Sequence, residues 1–225
     1  MDEIYDQLEI PESKTPISKK QGKFIHDFLS DKNINQTLEV GFAYGCSAAY
    51  IVSTTKKNHI IIDPCQKSNF MGIGIKNLKK LKLDKYINFF QDHSHNVLPG
   101  LYKKGIKIDF AFIDGGHKFD EIFVDFFYID LLLDDKGYVL FDDIWMPSIS
   151  SVVSWIDSNK KNYKRINVPI ESLILFQKIG VDKRDWRHFN NFYSYGGDVK
   201  KSIVNPRWED IKHHIYNIKG RLNNK

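Results

Sequence analysis

The stretch TLEVGFAYGCSAAYIVSTT, residues 37–55, changes character twice. TLEV is a short apolar, β-branched run of strand length, and CSAAYIVSTT is long enough for a helix. The turn between them holds Gly41 and Gly45, which can take backbone conformations barred to other residues. Strand, glycine turn and helix in direct succession open a βα unit, and the question is whether the unit repeats.

It does. HIIID (59–63), INFFQD (87–92), IDFAFID (108–114) and GYVLFDD (137–143) are further strand-like runs. Helix-length stretches follow them: IGIKNLKKLKL (73–83), HNVLPGLYKK (95–104), KFDEIFVDFFYIDLLL (118–133) and PSISSVVSWIDS (147–158), the last opening on Pro147, where a first helical turn tolerates proline. Alternating strands and helices predict a parallel sheet with crossover helices. YKRINV (163–168) and LILFQKI (173–179) are separated by a few residues including Pro169, too few for a helical crossover, and so predict an antiparallel pair.

The expectation is an α/β protein with a Rossmann-like, doubly wound, mostly parallel seven-stranded sheet, an antiparallel last strand and helices on both faces. One domain spans residues 1–225: an N-terminal helical extension (1–33), the core (34–180) and a basic, aromatic C-terminal extension (181–225). Helices are expected at PISKKQGKFIHDFLS (16–30) and RWEDIKHHIYNIKGRL (207–222), with an aromatic loop at RDWRHFNNFYSYGGD (184–198).

A hydrophobic content of 42% over 225 residues supports a substantial core and argues against a disordered chain. No run approaches the roughly 20 apolar residues of a membrane span, and MDEIYDQLEI lacks the basic and apolar regions of a secretory signal. A soluble, cytoplasmic protein without a membrane partner is expected. Cys46 and Cys65 lie far apart with no CxxC or Cys/His spacing, so both read as reduced packing residues. The net charge of +5 is uneven: residues 158–225 hold 15 Lys and Arg against 6 Asp and Glu, and residues 1–157 hold 18 against 22. Such a tail fits an anionic partner or a solvated basic surface.

In an open α/β sheet, ligands bind beyond the carboxyl ends of the parallel strands. The first strand runs into Gly41 and Gly45. The second ends at Asp63, 22 residues after Gly41, where a carboxylate can accept from both ribose hydroxyls of an adenosine. The G-x-x-x-G spacing, unlike G-x-G-x-x-G, suits an adenosyl group without a phosphate chain and points to S-adenosylmethionine. The third strand ends at Asp92, His93, Ser94 and His95, hydrogen-bonding groups for an adenine edge. The fourth ends at Asp114 and the fifth at Asp142 and Asp143, carboxylates that repel one another unless a cation lies among them. An oxygen-only set suits Mg²⁺ or Ca²⁺ better than zinc. Neighbouring strand residues point to opposite faces, so Asp142 and Asp143 can share an ion only where the strand bends. In FIDGGHKFD (112–120), Gly115 and Gly116 permit close backbone approach, and His117 is placed to abstract a proton.

Together, LEVGFAYGCSA, IIIDP, FIDGGHKFDEIFVD and FDDIWMPSI resemble the class I S-adenosylmethionine-dependent methyltransferases, in particular the catechol O-methyltransferase-like group and its macrocin-type and mycinamicin-type sugar O-methyltransferase relatives, over roughly residues 15–190. The resemblance implies cofactor contacts at Glu39, Gly41, Gly45, Ser47, Asp63, Ser94, His95 and Asp114, and Mg²⁺ contacts at Asp114, Asp142 and Asp143. Catechol O-methyltransferases place a lysine three residues after the first metal Asp; here that position is His117, as in the macrolide sugar enzymes, whose acidic pair opens on Glu where this chain has Asp142.

The implied reaction is displacement at the sulfonium methyl by an acceptor hydroxyl lying on the cation, with His117 and Asp114 as the catalytic pair. The expected acceptor is a sugar, a nucleotide-linked sugar or another small molecule; Trp186, His188, Phe189, Phe192, Tyr193 and Tyr195 either stack on it, with Arg184 and Arg187 pairing with phosphate, or pack the tail onto the sheet. Alternatives are an RNA methyltransferase using the basic tail, ranked lower because carboxylates would repel a phosphate backbone, and a non-catalytic binding module. Nucleic acid is not the expected partner; a homo-oligomer stays open.

Overall fold

The computed structural model describes residues 2–11 and 16–193. Its helices are α1 (Asp2–Asp6), α2 (Lys19–Ser30), α3 (Cys46–Thr55), α4 (Ile73–Lys80), α5 (Ser94–Lys103), α6 (Phe119–Leu132) and α7 (Pro147–Asn159). Its strands are β1 (Gln36–Val40), β2 (Asn58–Ile62), β3 (Ile87–Phe90), β4 (Ile108–Ile113), β5 (Leu133–Phe141), β6 (Tyr163–Ile166) and β7 (Ile174–Lys178). They form one sheet in the order β3-β2-β1-β4-β5-β7-β6. β1 to β5 run parallel, while β7 lies antiparallel between β5 and β6, so the Rossmann-like expectation holds down to its reversed last strand.

Side chains alternate across the pleat, which is why one sheet can serve two cores. Leu38, Val40, Ala111, Ile113, Val139 and Phe141 face a core shared with α5, α6 and α7. Phe110, Phe112, Leu140 and Leu175 face the other way, toward α2 and α3. Register then positions the site. Val40 pairs with Ile62 and with Ile113, and Ile113 pairs with Phe141. The next residue on each chain is therefore Gly41, Asp63, Asp114 or Asp142, and all four leave the sheet side by side.

Two boundaries differ from the sequence reading. β5 begins at Leu133, directly after α6, so the helical stretch ending at 133 yields its last residue to the strand; the pairing with β4 skips between Ile108 and Phe110, and Lys136 takes φ 69°. α4 stops at Lys80, ahead of Lys82 at φ 58°. The helix expected at 207–222 lies outside the described residues, as does Tyr195. Among the described residues, no helix is long and apolar enough to cross a membrane.

Candidate active site

At the end of β1 the chain must turn where β4 also ends. Gly41 has φ +92°, and a Cβ there would come within 2.0 Å of the Asp114 carbonyl oxygen. Only glycine fits both the conformation and the space. The amides that follow are gathered by Asp63: Phe42 N and Ala43 N donate to its Oδ2 at 3.0 and 2.9 Å, and Cys65 N donates to Oδ1 at 2.6 Å. The expected ribose carboxylate thus braces the glycine turn from behind.

Gly45, at φ +76°, starts α3 and delivers Ser47 to the same place. Ser47 Oγ donates to Glu39 Oε1 at 2.9 Å, Glu39 Oε2 lies 3.3 Å from His59 Nε2, and His59 Nδ1 lies 2.7 Å from Thr37 Oγ1. Glu39 is fully buried, and burial, partly offset by His59 and Ser47, lifts its carboxyl above the usual range. Cys46 beside it is a packing thiol, pushed up to about 12 by burial and by Glu39.

The acidic residues divide. Desolvation and then the charges of Asp142, Asp143 and Glu39 raise the Asp114 carboxyl well above the carboxylate range. Asp143 is at φ +52°, the bend required for adjacent aspartates to diverge. It turns toward His117, whose Nε2 is 3.3 Å from Asp143 Oδ2, and its Oδ1 accepts from Trp145 Nε1 at 2.8 Å. Donor atoms of Asp114, His117 and Asp143 all lie within 4.8 Å of one another. Asp142 faces elsewhere: its Oδ1 accepts from Asp143 N at 2.7 Å and its Oδ2 from Gln21 Nε2 at 2.6 Å. Its carboxyl is pushed up to about 6, chiefly by burial. Ser148 Oγ, in the first turn of α7, donates to the His117 carbonyl at 2.6 Å and pins that loop.

These groups border a cavity of about 430 Å³, within the range of small-molecule sites. Gly41, Ser47, Asp114, His117, Asp142 and Asp143 line it. Phe70, Tyr44 and Trp145 add aromatic wall, and Trp145 is 55% exposed. None of the described lining residues is Lys or Arg. Glu39 and Asp63 stand behind the lining. Ser94 is at the first turn of α5, hydrogen-bonded to Asp125 of α6, and the His95 ring stacks on His93 at 5.2 Å; these two lie at the neighbouring strand end. Sequence reasoning missed Gln21, although Ser18 and Gln21 have the spacing of a capping box, which the structure contains.

The described part of the tail lies away from the cavity and packs against α7. β7 is antiparallel and carries the chain back to the amino edge of the sheet, so residues 181–193 emerge opposite the cavity. Arg184 lies over Trp155 with its Nη2 2.7 Å from Asp182, Arg187 pairs with Asp185, and Asn190 bonds to Asn159 at the end of α7. Trp186, His188, Phe189, Phe192 and Tyr193 are likewise absent from the lining.

Comparison with known proteins agrees with this geometry. Residues 38–144 match a family model described as a methyltransferase domain. That match runs from β1 to the residue after Asp143 and contains every residue expected to act in catalysis or to contact cofactor or metal. The fold is shared with solved O-methyltransferases. One from Bacillus cereus, in complex with S-adenosylhomocysteine, aligns with a TM-score of 0.65 at 14% identity, over 74% of this chain and 84% of that one. TomG from Streptomyces achromogenes, involved in tomaymycin synthesis and bound to S-adenosylmethionine, aligns at 0.64 and 16% identity over 80% and 96%. The methyltransferase PaMTH1 of Podospora anserina, bound to S-adenosylhomocysteine, aligns at 0.67 and 14% over 80% and 89%. Among curated proteins, a glucose-1-phosphate adenylyltransferase of Mycoplasma mobile is 25% identical over 183 residues, 70% of this chain. The chain spans about half of that relative, 48% of its length.

Proposed function

We propose that the protein is an S-adenosylmethionine-dependent O-methyltransferase acting on a hydroxyl of a sugar or other small molecule, with the help of a divalent cation. The observation that carries this reading is the cavity at the strand ends, with a glycine turn for a floor, carboxylates on its walls and no Lys or Arg among its described lining. Such a lining favours a ligand carrying positive charge, as a sulfonium and an ammonium do, and gives a phosphate backbone no counter-charge. This weighs against the RNA alternative and against a nucleotide-linked acceptor.

When bound, S-adenosylmethionine supplies an electrophilic methyl group on sulfur. Gly41 lets the turn after β1 pack against the Asp114 backbone, and Ser47, fixed by Glu39, lines the cavity that would hold it. The His117 imidazole takes the acceptor's hydroxyl proton at Nδ1, the ring nitrogen that does not face Asp143, a contribution of about 10²–10⁴ in rate for a positioned base. Asp143 orients that imidazole from 3.3 Å. The desolvated carboxyl of Asp114, raised by neighbouring carboxylates, fits a cation, and Asp114 and Asp143 would hold one. A divalent cation held there would supply Lewis-acid help, making an acceptor hydroxyl easier to deprotonate.

The test is calorimetric titration with S-adenosylhomocysteine, with and without Mg²⁺, on wild type and Asp63→Ala, followed by transfer of labelled methyl to a panel of hydroxyl acceptors with and without EDTA. Binding weakened by the substitution and EDTA-sensitive transfer are expected. Absence of S-adenosylhomocysteine binding overturns the methyltransferase assignment, and transfer indifferent to EDTA overturns the cation.

A further inference from the structure

Gln21 belongs to the N-terminal extension, outside the methyltransferase domain, yet its side chain reaches Asp142, 121 residues away in sequence. Its amide is fixed at both ends. Oε1 accepts from Ser18 N at 2.7 Å and from Ser18 Oγ at 2.7 Å; because a backbone N–H can only donate, the oxygen faces Ser18 and the amino group faces the site. That amino group donates to Asp142 Oδ2 at 2.6 Å and to Ser172 Oγ at 3.0 Å. The Ser172 hydroxyl also bonds to Asp142, and Asp143 N occupies Asp142 Oδ1. Both oxygens of Asp142 are thus engaged, and Gln21 and Asp142 are both buried. Among the described residues, Asp114 and Asp143 have no such clamp: Asp143 meets Trp145 and His117, which themselves line the cavity.

We propose that Gln21 is a positioning residue that withholds Asp142 from the cation site, so that Asp114 and Asp143 form the site without it. The inference rests on the cation in the proposed function. Asp142 adds negative charge to the neighbourhood and leaves its oxygens in the protein's own hydrogen bonds. The capping box that starts α2 therefore also decides how many carboxylates a metal meets, and fewer anionic ligands mean weaker cation binding.

The experiment is Mn²⁺ titration followed by electron paramagnetic resonance on wild type, Asp114→Asn, Asp142→Asn, Gln21→Met and the Gln21→Met/Asp142→Asn double variant. Methionine keeps the volume of Gln21 and removes its donors; Gln21→Ala is the second variant should Met not fold. Thermal unfolding confirms that each variant is intact. Asp114→Asn is expected to lose Mn²⁺ and Asp142→Asn to retain it. Gln21→Met is expected to bind Mn²⁺ about tenfold more tightly, the lower end of what outer-shell partners change in metal affinity. The double variant is expected to lose that gain. Loss of Mn²⁺ in Asp142→Asn as severe as in Asp114→Asn overturns the proposal, because Asp142 is then already a ligand. Unchanged affinity in Gln21→Met also overturns it. Failure of wild type to bind Mn²⁺ removes the cation and this inference together, while S-adenosylhomocysteine binding reports separately on the methyltransferase reading.

Discussion

The two edges of the sheet use the same residue type to opposite ends. At the amino edge, buried Lys160 donates to Asp130 Oδ2 at 2.6 Å and to Asp182 Oδ2 at 2.7 Å, while the Tyr163 hydroxyl donates to Asp130 Oδ1 at 2.7 Å. The Arg184 hydrogen bond, with help from Lys160, holds the Asp182 carboxyl well below the usual range. At the carboxyl edge, Asp114 and Asp142 are raised instead, by desolvation and by neighbouring carboxylates, Asp143 acting on both. An aspartate whose counter-charge the chain supplies is part of the architecture. One whose counter-charge the chain leaves out is suited to a cationic ligand.

The most severe way to test this contrast is at the carboxyl edge. His117→Ala should cut methyl transfer by about 10²–10⁴ while leaving S-adenosylhomocysteine affinity unchanged in calorimetry; full turnover would remove the base and leave the edge as a binding surface only. At the amino edge, Lys160→Met leaves Asp130 to Tyr163 and Lys178 and Asp182 to Arg184, and a loss on the order of 3 kcal/mol is expected in denaturant unfolding. A smaller loss would show that the lysine's own desolvation nearly cancels the pairing.

Asp125, 1% exposed on α6, sharpens the comparison through pH. Burial pushes its carboxyl up to about 6, and its Oδ1 has no hydrogen-bond partner among the described residues. The folded value exceeds the unfolded one, so its contribution to stability is present below about pH 4 and is lost as pH rises through about 6. Asp125→Asn should raise stability by roughly 3 kcal/mol at pH 8 and by little at pH 4, measured as unfolding free energy at each pH. Arg184→Ala gives the smallest change: a stability loss below about 1 kcal/mol and no shift in acceptor KM, because the guanidinium is engaged by Asp182 and lies far from the cavity. A raised KM would return the tail to the acceptor.

The strands, their crossover helices and the row of residues at the strand ends were legible in the sequence because each is written locally, in period and in glycine placement. Gly41, Asp63 and Asp114 meet because three strands end in register, and that follows from the alternation itself. Gln21 and Asp142 do not, since nothing in the spacing of a helix start announces a bond to a strand 121 residues away. The course of the tail was implicit: an antiparallel β7 must return the chain to the amino edge, and the basic residues beyond it obscured that geometry. The divergence of Asp142 from Asp143 needed a backbone angle that no pattern of residue types specifies.

That angle has a further consequence, for which sequences the site admits. At φ +52° the backbone of Asp143 lies where most L-residues are strained and where Gly, Asn and Asp are favoured. Gly would relax the turn and erase the carboxylate; Asn would keep an oxygen and lose the charge. Of the residues this bend readily accepts, Asp alone can hold His117, Trp145 and a cation's charge at once. The local backbone thus limits the substitutions open to position 143 before any demand of catalysis is made.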